Sequence, residues 1–290
     1  MPLLDHRDVA AVSFVGSTPV ARHIYERATA LGKRVQALGG AKNHVVVLPD
    51  ADLDVAADHI TAAAFGSAGQ RCMAISVVVA VGDVADDLVG RLSRRAGAIR
   101  VGRGDDPTSE MGPVVSADAL ERIRDYIDRG EQAGARLALD GRGIQVAGAE
   151  HGYYLGATVL DGVTPAMDVY TDEIFGPVLS IVRVATLADA VALINANPYG
   201  NGTCIMTRSG AAARAFVRQV DVGMVGINVP IPVPMAFYSF GGWRSSLFGD
   251  THMHGPEGVR FYTRAKVVTA RWPETDVVVG PASFHFPTTN

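Results

Sequence analysis

The sequence predicts an α/β fold, a mainly parallel sheet with helices on both faces. Two observations lead there. Apolar, β-branched runs alternate with stretches of helical period from residue 9 to residue 228. Such strand–helix–strand alternation packs as parallel units buried on both sides. The breaks are compact turn sequences, such as Gly16-Ser-Thr-Pro19, Pro49-Asp50 and Asn197-Pro-Tyr-Gly200.

Taken in order, residues 9–15 read as a buried strand. Val20, Ile24, Ala28 and Leu31 then share one helical face, with Ser17 or Thr18 as cap and Pro19 in the first turn. A short strand over 45–48 precedes a helix through Ala56, Ile60, Ala63 and Ala64, which runs into Gly66-Ser-Ala-Gly-Gln-Arg-Cys72. Residues 75–81 form the next strand. Helices follow through Leu88, Leu92, Ala96 and Ile99, and through Leu120, Ile123 and Ile127. Strands are expected over 137–139, 153–160 and 178–184, then a helix through Leu187, Val191 and Ile194. The series closes with a strand over 203–207, a helix over 211–220 and a strand over 222–228. The alternation stops at Pro230-Ile-Pro-Val-Pro234, and residues 259–271 read as a separate strand-like arm. The tail, 281–290, is expected to lack order by its position.

Composition narrows the function. The 290 residues are 48% hydrophobic, ample for one large core or two ordinary ones. Basic residues number 26 and acidic 30, a net charge of −4, which argues against a nucleic-acid binder that tracks phosphates. Two cysteines, Cys72 and Cys204, exclude a disulfide scaffold and point to a reducing, cytoplasmic setting. The longest clean apolar run, 77–81, falls far short of the ~20 residues a membrane span needs, so no membrane association is expected. The eight histidines are scattered and lack zinc spacing, so no metal is expected.

Three stretches could carry chemistry. Cys72 follows a Gly-rich turn and neighbours Arg71, surroundings that favour a nucleophilic thiolate; a buried structural cysteine is the alternative. Cys204 lies inside an apolar strand and reads as structural. Gly16 and Ser17, between a strand and a helix, could hold a phosphate or form an ordinary turn. Glu173, in Glu173-Ile-Phe-Gly-Pro177, could accept ribose hydroxyls while Phe175 stacks on a flat ring, or could be a solvated acid beside a core aromatic.

Together these pieces resemble the aldehyde dehydrogenase superfamily. The resemblance rests on Gly16-Ser17, Leu38-Gly-Gly40, Gly69-Gln-Arg-Cys72 and Glu173-Ile-Phe-Gly-Pro177. Finer features are similar to its CoA-acylating methylmalonate-semialdehyde (malonate-semialdehyde) dehydrogenase branch. These are Gly40-Ala-Lys-Asn-His44, Asn197-Pro-Tyr-Gly-Asn-Gly202, Val225-Gly-Ile-Asn-Val-Pro230, Ser239-Phe-Gly-Gly-Trp-Arg-Ser-Ser246 and Phe261-Tyr-Thr-Arg264.

The resemblance implies a Cys72 nucleophile forming a thioester, NAD as hydride acceptor held through Gly16, Ser17, Glu173 and Phe175, and Arg71 on the substrate carboxylate. Hydrolytic relatives carry a glutamate where this sequence has Ala37. General-base help is worth about 10²–10⁴-fold, so its loss favours CoA over water as acyl acceptor, with CO₂ lost to give acetyl- or propionyl-CoA. The implied domains are 1–38, the end of a Rossmann-like NAD-binding domain; 39–248, the catalytic domain; and 249–290, a segment with an oligomerisation strand. A homo-oligomer, dimer or tetramer, is implied. Met1 stands where the family continues a helix-to-strand connection, so an N-terminal portion is expected beyond these residues, through a truncated gene or a misassigned start. That portion would hold most of the nucleotide-binding sheet and an oxyanion-hole asparagine. The alternative is an inactive fragment acting only by subunit assembly, its 9–15 strand left without sheet neighbours.

Overall fold

The computed structural model describes residues 2–270 and 272. The expectations for Met1 and for the tail 281–290 lie outside the described residues, as does Arg271.

The chain opens with a short helix α1 (Pro2–Asp5), strand β1 (Ala11–Val15), helix α2 (Thr18–Ala30) and strand β2 (Arg34–Leu38). Strand β3 (Asn43–Val47), helix α3 (Leu53–Phe65), a tight turn over Gly66–Gly69, strand β4 (Ile75–Val81) and helix α4 (Ala85–Gly97) follow. Next come α5 (Ala117–Gln132), β5 (Arg136–Leu139), β6 (Thr158–Asp161), α6 (Asp168–Thr171) and β7 (Val178–Val184). The order continues with α7 (Leu187–Ala196), β8 (Tyr199–Gly200), β9 (Gly202–Met206), α8 (Gly210–Gln219) and β10 (Met224–Ile227). It ends with β11 (Trp243–Arg244), β12 (Leu247–Phe248) and α9 (Gly255–Tyr262).

A seven-stranded sheet, order β10-β9-β3-β4-β7-β6-β5, forms the body, parallel throughout except for β5 against β6. Helices cover both faces, so β3 and β9 are buried at every position; that is why residues 45–47 and 204–206 within them read as apolar runs. The helix starts are fixed locally. Asp52 accepts from the Asp54 and Val55 N–H groups, Ser116 and Ser209 cap α5 and α8, and Thr186 with Asp189 forms a capping box on α7.

The smaller sheet, β1-β2-β12, carries its own apolar cluster of Leu4, Ala21, Ile24, Ala28, Val35 and Ala37. Here two expectations are corrected. The 9–15 segment is neither unpaired nor buried: β1 lies parallel to β2, from Ala11 opposite Arg34 to Val15 opposite Leu38, and its residues are half-buried or exposed because it is the edge strand. Strand β2, which the apolar pattern missed, is polar at alternate positions, and its buried Gln36 accepts from the Ser13 hydroxyl (2.9 Å). Ser17 occupies the N-cap of α2 but its side chain makes no capping bond.

Two other segments differ. The 259–271 arm begins as helix α9, with Pro256 in its first turn, and residues 263–270 pair with no strand among the described residues. The apparent alternation misled because Phe261 is buried (1% exposed) by helical packing, while the Arg34 guanidinium gathers the carbonyls of Arg260, Phe261 and Thr263 at the helix end. Of residues 153–160 only 158–160 belong to a strand, the first three positions of β6. Residues before it are held as loop, with the Val114 N–H on the Tyr153 carbonyl and the Gly156 N–H on that of Gly141.

Candidate active site

The cleft lies where β3, β4 and β7 begin, at the amino ends of parallel strands rather than the carboxyl ends where open α/β sheets usually bind ligands. Three entering loops meet there. They bring together Arg71, Cys72, Glu173 and Phe175, predicted from distant parts of the chain, with Lys42 and Asn43.

The loop before β4 is wound unusually. Ser67, Ala68 and Gly69 all have left-handed backbone, φ 54°, 53° and 67°. Such strain in non-glycine residues persists only where packing enforces it. Phe175 faces this loop across the cleft, itself left-handed at φ 53°. A Cβ at Gly69 would stand 2.1 Å from the Gly176 carbonyl oxygen, so the two loops interlock through backbone alone.

The Cys72 side chain is exposed, whereas Cys204 is buried. Partial burial pushes the Cys72 thiol above its ordinary value and the Glu173 carboxylate adds to the rise; the N–H groups of Cys72 and Met73 oppose it, and Arg71 does so least. Arg71 favours the thiolate as a cationic neighbour should, but more weakly than either backbone donor. Its Nη2 turns away to donate to the carbonyls of Ala62 (3.1 Å) and Ala63 (3.3 Å), at the end of α3. Cys204 sits deeper, and burial pushes its thiol to about 12.

Glu173 is anchored from the loop before β3. One carboxylate oxygen accepts from the Ala41 N–H (3.0 Å), and the other lies where a Cβ on Gly40 would fall, 2.4 Å away. Burial raises the Glu173 carboxyl, against the pull of the Ala41 N–H, Lys42 and Arg122. Lys42 is buried and donates to the carbonyls of Val169 (2.8 Å) and Asp172 (2.5 Å); burial pulls its ammonium down to about 7 although Asp172 and Glu173 oppose this. Arg122 donates to the Ile174 carbonyl (2.7 Å). Phe175 is therefore exposed on a loop clamped from both sides.

Gly16 and Ser17 are not among the residues lining this cleft. They turn the chain from β1 into α2, and Thr18 makes the link: its hydroxyl accepts from the Gly40 N–H (2.9 Å). Ser246 closes the same corner, donating to the Gly40 carbonyl (2.8 Å) and accepting from the Gly200 N–H (3.2 Å). Ala37 is fully buried in the smaller cluster. Sequence reasoning offered Thr18 only as a helix cap and assigned no role to Lys42, Asn43, Asn201 or Ser246. Four of them lie in motifs it quoted, but only tertiary contact shows what their polar atoms meet. Among the described residues no group of histidine, cysteine or carboxylate side chains could hold a metal, and no helix is long and apolar enough to cross a membrane.

The chain is similar to known proteins in both sequence and fold. The chain is 58% identical over 273 residues to the malonate-semialdehyde dehydrogenase of Pseudomonas aeruginosa, a match covering 94% of this chain and 55% of that protein. The structure of methylmalonate-semialdehyde dehydrogenase from Oceanimonas doudoroffii superposes with a TM-score of 0.93 at 55% identity, over 94% of this chain and 56% of that one. A Mycobacterium tuberculosis aldehyde dehydrogenase complexed with NAD+ gives 0.84 at 30% identity, over 89% and 52% respectively. The chain thus spans about half the length of the curated relatives it matches. The aldehyde dehydrogenase family profile matches residues 1–268, and with relatives at this level of identity the chain belongs to the aldehyde dehydrogenase family.

Proposed function

We propose that this chain provides the thiol-bearing part of an NAD-dependent, CoA-acylating malonate- or methylmalonate-semialdehyde dehydrogenase. The observation that carries the reading is the exposed Cys72 sharing one cleft with the braced Glu173. The cradle at Gly40 suits a ribose of NAD. A carboxylate held by one oxygen leaves its second to receive ribose hydroxyls, and no side chain could stand at Gly40 without displacing it. Glu173 and Phe175 would hold the nicotinamide end, and the turn at Gly16 and Ser17 would meet the phosphates. When bound, NAD supplies the hydride acceptor.

The chain's own residues do the rest. Cys72 Sγ, once deprotonated, bonds to the aldehyde carbon as the carbonyl π electrons move to oxygen, and its backbone N–H donates to that oxygen. After oxidation Cys72 carries the acyl group as a thioester. With alanine at position 37, buried and without a proton acceptor, the CoA thiol takes the acyl group and Cys72 leaves as thiolate. Arg71 would bind the substrate carboxylate by releasing Ala62 and Ala63. Loss of that carboxyl group as CO₂ gives acetyl- or propionyl-CoA.

The relatives' names support this over a fragment acting only by assembly. The separate apolar clusters support a boundary near residue 38. Self-association and a cytoplasmic location are part of the same proposal, the latter supported by two unpaired cysteines. The test is NADH formation from malonate semialdehyde by the full chain, with and without CoA, beside Cys72→Ser. CoA-stimulated NADH that vanishes in the variant is expected. A folded chain whose Cys72 alkylates readily yet forms no NADH would overturn the reading in favour of assembly. Label kept in the thioester product from a labelled carboxyl group would overturn decarboxylation.

A further inference from the structure

Two motifs noted in the sequence, Gly40-Ala-Lys-Asn-His44 and Asn197-Pro-Tyr-Gly-Asn-Gly202, have no part in the chemistry above beyond their contacts to Glu173 and Ser246. They meet at one atom. The Asn43 side-chain amide donates to the Cys72 carbonyl (2.9 Å) and to that of Ala74 (2.9 Å), and its own oxygen accepts from the Gly202 N–H (3.0 Å). The Asn201 amide donates to the same Cys72 carbonyl (3.2 Å) and contacts the Met73 sulfur (3.0 Å). Both side chains are buried, 2% and 7% exposed. Two buried amides on one carbonyl immobilise a peptide plane more firmly than strand pairing alone requires.

That plane has a second end. The peptide whose oxygen is Cys72 O carries the Met73 N–H, which after the N–H of Cys72 itself is the second backbone donor that favours the Cys72 anion. Donors on a carbonyl polarise its peptide and strengthen the N–H opposite. We infer that Asn43 and Asn201 are positioning residues for Cys72, holding the Cys72–Met73 peptide so that its N–H stabilises the thiolate. The inference rests on Cys72 being the nucleophile proposed above. The charged groups facing the thiol are Glu173 from the loop before β7, Arg71 from its own loop and Lys42 from the loop before β3; all stay unchanged in the test.

The test is the pH profile of Cys72 alkylation by iodoacetamide in the full chain, for the unmutated protein, Asn201→Ala and Asn43→Ala, with Cys204 as internal control. Each loss of a donor moves the midpoint to higher pH. It slows alkylation about fivefold at neutral pH, the equivalent of roughly 1 kcal/mol for one hydrogen bond. Unchanged midpoints in folded variants overturn the inference. If the variants do not fold, the unmutated chain decides. The side-chain amide signals of Asn43 and Asn201, followed by NMR, shift with the Cys72 titration on this account, and signals that stay still overturn it. Failure of the underlying reading looks different: the unmutated chain would then alkylate at Cys72, with its midpoint responding to the asparagines or not, yet form no NADH from malonate semialdehyde.

Discussion

Replacing Gly69 by alanine tests whether the Cys72 loop is held by backbone interlock. The residue has φ +67°, a region that costs an L-residue about 1–2 kcal/mol. The new Cβ would also lie 2.1 Å from the Gly176 oxygen, 2.6 Å from its carbonyl carbon and 3.1 Å from the Pro177 nitrogen. All three are main-chain atoms, so relief requires one loop to shift, and forced repacking of this kind costs about 1–3 kcal/mol. The sum, about 2–5 kcal/mol, is a large part of the 5–15 kcal/mol typical of a folded protein. Gly143→Ala is the control, because nothing lies within 4 Å and its backbone is not left-handed; it should stay within about 0.5 kcal/mol. Urea unfolding measures both, and the Cys72 alkylation rate should change in the first variant alone. A loss below about 1 kcal/mol for Gly69→Ala would refute the interlock.

Two further outcomes concern buried ionisable groups. Asp161, 3% exposed, accepts from Arg183 (3.0 and 2.8 Å) and Arg136 (2.5 Å). Burial alone would raise its carboxyl, but the hydrogen bonds from Arg183 and Arg136 win and hold it below the ordinary value. Its contribution is present above the usual carboxylate range and lost as pH falls through the lowered value. Asp161→Asn should therefore cost about 1–3 kcal/mol at neutral pH, discounted for the exposed arginines, and flatten the acid limb of a stability–pH curve. His44 is fully enclosed, with Nε2 3.1 Å from the Tyr170 hydroxyl, and burial foremost, then the nearby Lys42 charge, pushes it to about 3. Between pH 6.5 and about 3 the unfolded chain takes up a proton that the native chain refuses. Stability should fall on acidification there by at most about 1.4 kcal/mol per pH unit, and His44→Gln should remove that slope in urea titrations.

The α/β class was legible because parallel strands buried on both faces advertise themselves: the runs expected over 75–81 and 178–184 coincide with β4 and β7. Strand β2 was not legible, because Gln36 is buried through a hydrogen bond rather than through apolarity. The arm failed for the converse reason, since Phe261, Thr263 and Val267 alternate in sequence while a helix decides which is buried. At the cleft, Cys72 and Glu173 were visible as residue types in Gly-rich turns, but their meeting is a tertiary fact. The direction of Arg71 was beyond sequence reasoning. Its fork has equal chemical reason to face a thiol or the carbonyls ending α3, and only the path of the chain chooses between them.

What fixes the cleft also says where its rigidity comes from. Each bond described above that restrains the Cys72 carbonyl or the Glu173 loop is supplied by residues after Gly40: Ala41, Lys42, Asn43, Arg122 and Asn201. From β1 and α2, the contact found here is the Thr18 hydroxyl on the Gly40 N–H. The thiol and its acidic neighbour are thus set by the large sheet, and the smaller sheet reaches them through the two glycines between β2 and β3. Strand β1 can therefore stand at an open edge, half-exposed, while the Cys72 loop keeps its strained turn. Disturbing the small sheet should move the Gly16–Thr18 corner and leave the Cys72 carbonyl where Asn43 and Asn201 hold it.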